Sequence, residues 1–167
     1  MNNHYRNKVF ITGGAGFIGS SIVDKLLSQG HSVVVYDNFS TGQIRFLDNA
    51  KKNNNLNIIK GDLLDKSLLD VSIDNCDIVY HMAANADIRS GLEKPYFDIE
   101  QNTIATFNLL EAMRKKDIKR IIFASSAAAL GEPNKFPTPE SCPIPIQTSL
   151  YGASKMACEG LISSYCE

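Results

Sequence analysis

The stretch Lys8-Val9-Phe10-Ile11-Thr12-Gly13-Gly14-Ala15-Gly16-Phe17-Ile18-Gly19 sets the reading of the whole chain. Its first part, Val9-Phe10-Ile11, is the kind of apolar run that a strand buried on both faces requires. Gly13, Gly14 and Gly16 then turn the chain into Phe17 to Ser28, whose apolar spacing predicts a helix that Gly30 stops. Gly14, Gly16 and Gly19 fit the dinucleotide fingerprint, and Gly13, Gly16 and Gly19 fit a second reading of the same letters. Glycine is needed there because a side chain would hold a pyrophosphate away from the backbone N–H groups at the positive end of the helix. A glycine-rich turn can also be a plain connector between strand and helix, so the loop needs a second signal.

That signal is the next strand. Ser32-Val33-Val34-Val35-Tyr36 reads as another buried strand and ends at Asp37, 23 residues after Gly14. The fingerprint wants a carboxylate at that place for the adenosine ribose hydroxyls. Asp37 beside Asn38 could alone be a turn former, but strand, glycine loop, helix and second strand in this order favour the nucleotide. An acid there also repels a 2′-phosphate, which points to NAD in preference to NADP.

Working outward, a weak helical segment is expected around Ile44 to Ala50, a surface turn at Asn53-Asn54-Asn55 and a third strand over Leu56 to Lys60. Asp62 then either faces the adenine edge or caps the following helix. A fourth strand, Asp77 to His81, runs into Met82-Ala83-Ala84, whose small side chains would let a cofactor pass close to the backbone or simply pack tightly. A long helix is predicted from about Asp98 to Lys115, and a fifth strand over Lys119 to Ala124 delivers Ser125 and Ser126. Five strands alternating with helices predict an α/β fold, a doubly wound parallel sheet of the Rossmann type in the order 3-2-1-4-5, as one domain over residues 1–167. The segment from Gly131 to Ser149 carries Pro133, Pro137, Pro139, Pro143 and Pro145. Its place after strand five suggests an active-site loop.

Composition narrows the partners. With 167 residues and a net charge of −1, the chain can bury a core but offers no basic run for nucleic acid or an anionic membrane. The polar N-terminus from Met1 to Lys8 lacks the apolar centre of a signal peptide, and no apolar run reaches transmembrane length. Cys76, Cys142, Cys158 and Cys166 show no CxxC spacing and no histidine companion, which implies reduced thiols, a cytoplasmic location and no metal site. His81 follows a strand and reads as structural.

The last helix opens with Tyr151-Gly152-Ala153-Ser154-Lys155. Residues four apart share a helical face, so the phenol and the ammonium can point at one place. A tyrosine with its ordinary pKa of ~10 is a poor base at neutral pH, and lowering it by about three units needs about 4 kcal/mol. A nearby lysine and a positive nicotinamide ring could supply that in a partly dry cleft. Tyr-x-x-x-Lys also arises as an ordinary surface pair; here it follows a nucleotide-binding array and a serine at the end of strand five.

These stretches together, with Asp37-Asn38, Gly61-Asp62-Leu63, His81-Met82-Ala83-Ala84, Asn102, Asn108-Leu109-Leu110-Glu111-Ala112 and Ser125-Ser126, resemble the extended short-chain dehydrogenase/reductase superfamily. Within it the likeness is strongest to nucleotide-sugar epimerases of the UDP-glucose 4-epimerase type. The resemblance implies that Tyr151 is general base and acid, that Lys155 lowers its pKa and holds the nicotinamide ribose, and that Ser126 binds the reacting hydroxyl. It implies an NAD site lined by Gly13, Gly16, Phe17, Ile18, Gly19, Asp37, Asn38, Ser40, Thr41, Gly42, Asp62, Leu63, Ala83, Ala84 and Asn102, with Tyr151 and Lys155. The substrate would be a nucleotide-activated sugar, UDP-linked, oxidised to a keto sugar and reduced on its other face. A homodimer built from the long helix and the Tyr151 helix is also implied.

Acidic residues that relatives use for dehydration or decarboxylation are replaced here by Ala127-Ala128-Ala129, which cannot exchange protons. Leu130 and Ala105 depart from the tyrosine and glycine usual in the family. The chain also ends at Glu167, where relatives continue into a substrate-binding region, so it resembles an N-terminal part. A non-catalytic NAD-binding module, or another NAD-linked nucleotide-sugar oxidoreductase or dehydratase, are the alternatives.

Overall fold

The computed structural model describes residues 6–85, 87–143 and 146–167. Pro145 and most of the N-terminal stretch read above lie outside them. Two compact units emerge: the described residues up to Ala84 with Glu111–Ala124, and Asn85–Leu110 with Ser125–Glu167.

The first unit is a five-stranded parallel sheet in the order β3-β2-β1-β4-β5, as the alternation of elements predicts. The strands are β1 (Lys8–Thr12), β2 (Ser32–Asp37), β3 (Leu56–Lys60), β4 (Ile78–His81) and β5 (Ile121–Phe123). β1 is central, pairing Phe10 with Val34 on one side and with Val79 on the other. Its residues Val9 to Thr12 and the β2 residues Val33 to Asp37 are buried, the pattern expected of strands covered on both faces. Each fully buried valine or isoleucine there stabilises by roughly 1.5–3 kcal/mol. β5 is shorter than Lys119 to Ala124, although the Arg120 carbonyl and the Ala124 N–H still bond to β4.

Helix α1 (Phe17–Ser28) has the bounds that its pattern predicts. It stops because Gly30 adopts φ +86°, and the N–H groups of Gly30 and His31 close on Leu27 and Leu26. The expected helix after Gly42 is instead two 3₁₀ turns, Ile44–Leu47 and Ala50–Lys52. Helix α2 (Lys66–Ser72) is capped by Asp65, whose carboxylate accepts from Leu68 N–H at 3.0 Å. The capping alternative for Asp62 is therefore wrong.

In the second unit, the short helix α3 (Ser90–Glu93) precedes a continuous helical run. That run is α4 (Pro95–Asp98), a π-helical turn over Ile99–Ile104 and α5 (Ala105–Lys115), whose last residues belong to the first unit. The helix thus starts three residues before Asp98, with Pro95 in its first turn where a missing N–H costs nothing. Helix α6 (Leu150–Cys166) packs on the π turn and on a 3₁₀ turn at Ala127–Leu130.

Candidate active site

In the first unit the glycine loop is pinned from both sides. Gly13 N–H donates to the Tyr36 carbonyl at 3.0 Å, and Met82 N–H donates to the Thr12 carbonyl at 3.1 Å. Gly13 has φ +67°, and a Cβ on it would lie 2.7 Å from the Ala83 nitrogen. Below the turn, Thr12 Oγ1 meets His81 Nδ1 at 2.7 Å and accepts from Ala83 N–H at 3.2 Å. His81 is buried and its ring lies 5.5 Å from that of Phe123, the structural role expected of it.

The glycines do not share one task. A Cβ on Gly19 would sit 2.2 Å from the Gly13 carbonyl oxygen, and one on Gly14 would sit 2.9 Å from the Val35 methyls. Those positions serve contact within the protein. A Cβ on Gly16 meets only the Gly13 oxygen, at 3.2 Å, so the open side of the loop is at Gly16. Gly16 is also the N-cap of α1, with no side chain capping the helix and no acid in its first turn. The side chains of Phe17 and Ile18 stand exposed beside it. Uncapped N–H groups at the positive end of a helix, next to open space, fit a pyrophosphate.

Asp37 is buried at the end of β2. Its Oδ2 accepts from Ala15 N–H at 2.9 Å and its Oδ1 from Phe39 N–H at 2.8 Å. Gly42 closes over it, since a Cβ there would lie 2.8 Å from Asp37 Oδ1, while Ser40 and Thr41 stay at the surface. Each carboxylate oxygen has lone-pair capacity left for a ribose hydroxyl. Asp62 Oδ2 accepts from Asn38 Nδ2 at 2.9 Å and its Oδ1 from Leu64 N–H at 2.9 Å, with Leu63 buried between. The backbone of Asp62 is fixed by the Tyr36 hydroxyl, which donates to its carbonyl at 2.9 Å. Ala83 and Ala84 follow β4, half-buried.

The second unit holds Ser126, Tyr151, Lys155 and Asn102. Ser126 caps the 3₁₀ turn, accepting from Ala128 N–H at 3.1 Å. That turn lies directly against the start of α6, because a Cβ on Gly152 would be 2.5 Å from the Ala128 carbonyl oxygen. Ser149 caps α6 by accepting from Gly152 N–H at 3.0 Å. Tyr151 and Lys155 then stand one turn apart, with Lys155 Nζ 5.9 Å from the centre of the phenol ring. Ser126 hydrogen-bonds the Tyr151 side chain. The three residues predicted to carry the chemistry are thus brought together.

Asn102, together with residues that the sequence did not single out, holds this group in place. Asn102 Nδ2 donates to Ser154 Oγ at 2.8 Å, and Ser154 Oγ donates to the Tyr151 carbonyl at 2.8 Å. Asn102 Oδ1 accepts from Asn85 N–H at 2.7 Å, so both ends of the Asn102 amide are engaged within the protein. Asn85 Nδ2 reaches Asp98 Oδ1 at 2.8 Å. Cys158 Sγ lies 3.3 Å from Thr106 Oγ1, a second tie between α6 and the helix beneath it. Ser154 sits inside the Tyr151–Lys155 motif; that placement was its only signal.

Burial governs the electrostatics. Lys155 is 2 % exposed, and loss of water pushes its ammonium below the usual lysine range. Burial likewise pushes the Tyr151 phenol up; the Ser126 hydrogen bond opposes this, while Asp98 and Cys158 add to it. Within the chain itself desolvation is the largest influence on the phenol; the expected depression calls on the nicotinamide ring as well as Lys155.

A model of the NAD dependent epimerase/dehydratase family matches residues 9–167. The chain belongs to this family. Among its relatives, a putative UDP-glucose 4-epimerase of Methanocaldococcus jannaschii is 41 % identical over 164 residues, covering 94 % of this chain and 50 % of that protein. The UDP-glucose 4-epimerase of Mycolicibacterium smegmatis is 32 % identical, covering 95 % and 51 %. Among solved structures, the UDP-N-acetylglucosamine 4-epimerase of Methanobrevibacter ruminantium in complex with UDP-N-acetylmuramic acid superposes with a TM-score of 0.89 at 37 % identity, over 96 % of this chain and 50 % of that one. The Brucella ovis UDP-glucose 4-epimerase in complex with NAD gives 0.87 at 33 % identity, over 95 % and 47 %. The chain spans about half the length of the relatives that it matches.

Proposed function

We propose that this family member carries the NAD-binding and proton-transfer parts of a nucleotide-sugar 4-epimerase acting on a UDP-linked sugar. The observation that carries the reading is the grouping of Ser126, Tyr151 and a buried Lys155 on and beside the first turns of α6. The uncapped α1 terminus and Gly16 would hold the pyrophosphate of NAD, Asp37 its adenosine ribose, and Asn38 and Asp62 the region of the adenine. Bound there, NAD would accept a hydride from the sugar carbon and return it to the opposite face. Tyr151 takes the hydroxyl proton and later gives it back, Ser126 orients that hydroxyl, and Lys155 favours the ionised phenol through its charge. Ala127-Ala128-Ala129 offer no acid for elimination, which supports epimerisation over dehydration.

The test is interconversion of UDP-glucose and UDP-galactose, and of UDP-N-acetylglucosamine and its 4-epimer, by the purified protein, with bound NAD quantified. Turnover without net NADH supports the reading, and net NADH would indicate an oxidoreductase. NAD binding without turnover would indicate a binding module. Tyr151→Phe should leave NAD binding nearly intact and lower turnover by ~10²–10⁴-fold; near-normal turnover would remove Tyr151 from the mechanism.

A homodimer and a cytoplasmic location belong to the same proposal. Phe107, 41 % exposed and edge-on to Tyr165, offers apolar surface on α5 and α6, whereas Met113 is core. Among the described residues no helix is long and apolar enough to cross a membrane. Sedimentation at micromolar concentration tests the dimer; a monomer would refute it.

A further inference from the structure

We propose that Glu159 is a positioning residue for the proton-transfer group: its carboxylate holds Ser125 and thereby fixes the neighbouring Ser126 against α6. The inference rests on the reading of Ser126 and Tyr151 as the pair that handles the substrate hydroxyl. It adds a residue that touches neither substrate nor cofactor.

Two serines follow β5, and the reaction proposed above uses only Ser126. The backbone is bonded to the sheet as far as Ala124, whose N–H donates to the His81 carbonyl. One residue on, the Ser125 hydroxyl donates to Glu159 Oε1. A hydroxyl on an ionised carboxylate makes one of the stronger hydrogen bonds. Glu159 enters none of the ion pairs found among the described residues, so its carboxylate is committed to the serine.

Glu159 also stands in the right place. Tyr151, Lys155 and Glu159 follow one another at intervals of four and share a face of α6. Ser126 hydrogen-bonds the Tyr151 side chain. Consecutive serines are therefore fastened to one helical face, Ser125 through Glu159 and Ser126 through Tyr151.

The same segment meets its surroundings again further on. A Cβ on Gly152 would lie 2.5 Å from the Ala128 carbonyl oxygen, and Gln147 Nε2 donates to the Ala129 carbonyl at 2.8 Å. Within this unit Ser126 is thus bracketed, by Glu159 before it and by Gly152 and Gln147 after it. Ser125 and Ser126 share a planar peptide, so the rotation that Glu159 imposes on the first is passed to the second.

That rotation decides where the Ser126 proton points. Ser126 Oγ accepts from Ala128 N–H at 3.1 Å, which leaves its own hydrogen to donate. Its bond to Tyr151 favours the ionised phenol, the effect of a donor. Displacement of a positioned group by about 1 Å can cost ~10²-fold in rate.

The experiment follows the Tyr151 phenol by NMR of the Cζ carbon in protein labelled with ¹³C-tyrosine. Tyr151→Phe assigns the signal, and Ser126→Ala sets the shift caused by losing the serine bond. Ser125→Ala removes the clasp and keeps the Glu159 charge. It should move the Tyr151 titration to higher pH by at least half of the Ser126→Ala shift. Glu159→Ala should also move it upward, whereas deletion of a negative charge alone would move it down. Glu159→Gln keeps an acceptor for Ser125 and should produce no rise. Ser125 and Glu159 are exposed, so the Tm of each variant should stay within about 2 °C of the parent. No rise in Ser125→Ala, or an equal rise in Glu159→Gln, overturns the proposal.

Where alkaline unfolding hides the titration, amide hydrogen exchange at neutral pH decides. The Ala128 N–H bonded to Ser126 should exchange at least ~3-fold faster in Ser125→Ala and Glu159→Ala but not in Glu159→Gln; unchanged exchange in Ser125→Ala refutes the clasp. In turnover, the same two alanine variants should lower kcat by ~10-fold at unchanged NAD affinity. Titration and exchange need no turnover, so failure of the epimerase reading is distinguishable from failure of this one.

Discussion

Replacing Gly19 with alanine should separate the structural from the ligand-binding glycines. The new methyl would be placed 2.2 Å from the Gly13 carbonyl oxygen and 2.8 Å from the Gly14 Cα. That is about 1 Å or more inside ordinary contact, and the obstacle is backbone, so the start of α1 must lift from the loop. Overpacking of this kind costs ~1–3 kcal/mol. Alanine regains up to ~1 kcal/mol of helix propensity, leaving a net loss of about 2 kcal/mol at the upper end. For a chain of this size that lowers Tm by roughly 4–8 °C. Gly16→Ala differs: its methyl meets only the Gly13 oxygen at 3.2 Å, and φ −79°, ψ 173° suits any residue. Its Tm should stay within about 2 °C of the parent, while NAD affinity falls at least ~10-fold because the methyl enters the phosphate space. Melting followed by circular dichroism and NAD titration by calorimetry give both numbers. A Gly19→Ala protein that melts at or above the parent temperature would refute the packing argument, and equal Tm losses in the two variants would refute the division of roles.

Three further outcomes follow from the site. NAD should bind more tightly than NADP because the Asp37 carboxylate is fixed at the ribose position by Ala15 and Phe39 N–H groups; Asp37→Asn should narrow the gap, and an unchanged ratio would show that the ribose lies elsewhere. Tyr36→Phe removes the hydrogen bond to the Asp62 carbonyl and should cost about 1 kcal/mol at neutral pH in denaturant titration. Burial pushes the Tyr36 phenol up to about 12, so the unfolded chain ionises first and the parent should lose stability as pH rises from ~10 through about 12; the phenylalanine variant should show a shallower fall, and parallel curves would contradict the burial. Lys155 is held below its usual range by desolvation, so burial of its charged form costs stability. Lys155→Met should therefore raise Tm while weakening NAD binding, and a drop of several degrees would show that the ammonium stabilises the fold.

The sheet was legible because its strands are local signals. Val9 to Ile11 and Val33 to Tyr36 can only be satisfied on both faces of a parallel sheet, and the order of strands follows from alternation with helices. What the sequence hides is backbone geometry that no side-chain pattern encodes. The π turn at Ile99–Ile104 interrupts an apolar spacing that continues through it, so residues 98–115 read as one regular helix. Asp62 looks like a cap because it precedes a helix, yet Asp65 is nearer its first turn and takes the Leu68 N–H. The glycine loop looks like one motif, but only the built fold shows that Val35, Ala83 and the loop's own carbonyl demand three of its glycines.

The proton-transfer group shows the same division at closer range. Tyr151 and Lys155 are visible because a spacing of four is a helical face, a rule that needs no tertiary knowledge. Their supports are not visible, since Asn85, Asp98, Asn102 and Ser154 meet only after α4, the π turn and α6 have packed. Yet those supports determine what the pair can do. The charge of a lysine that is 2 % exposed is little screened by water. It stays buried because α6 is fastened to the helix beneath by Ser154 on Asn102 and by Cys158 on Thr106. The residues between and just beyond Tyr151 and Lys155, filler to a motif reader, are what place the charge where it acts most strongly.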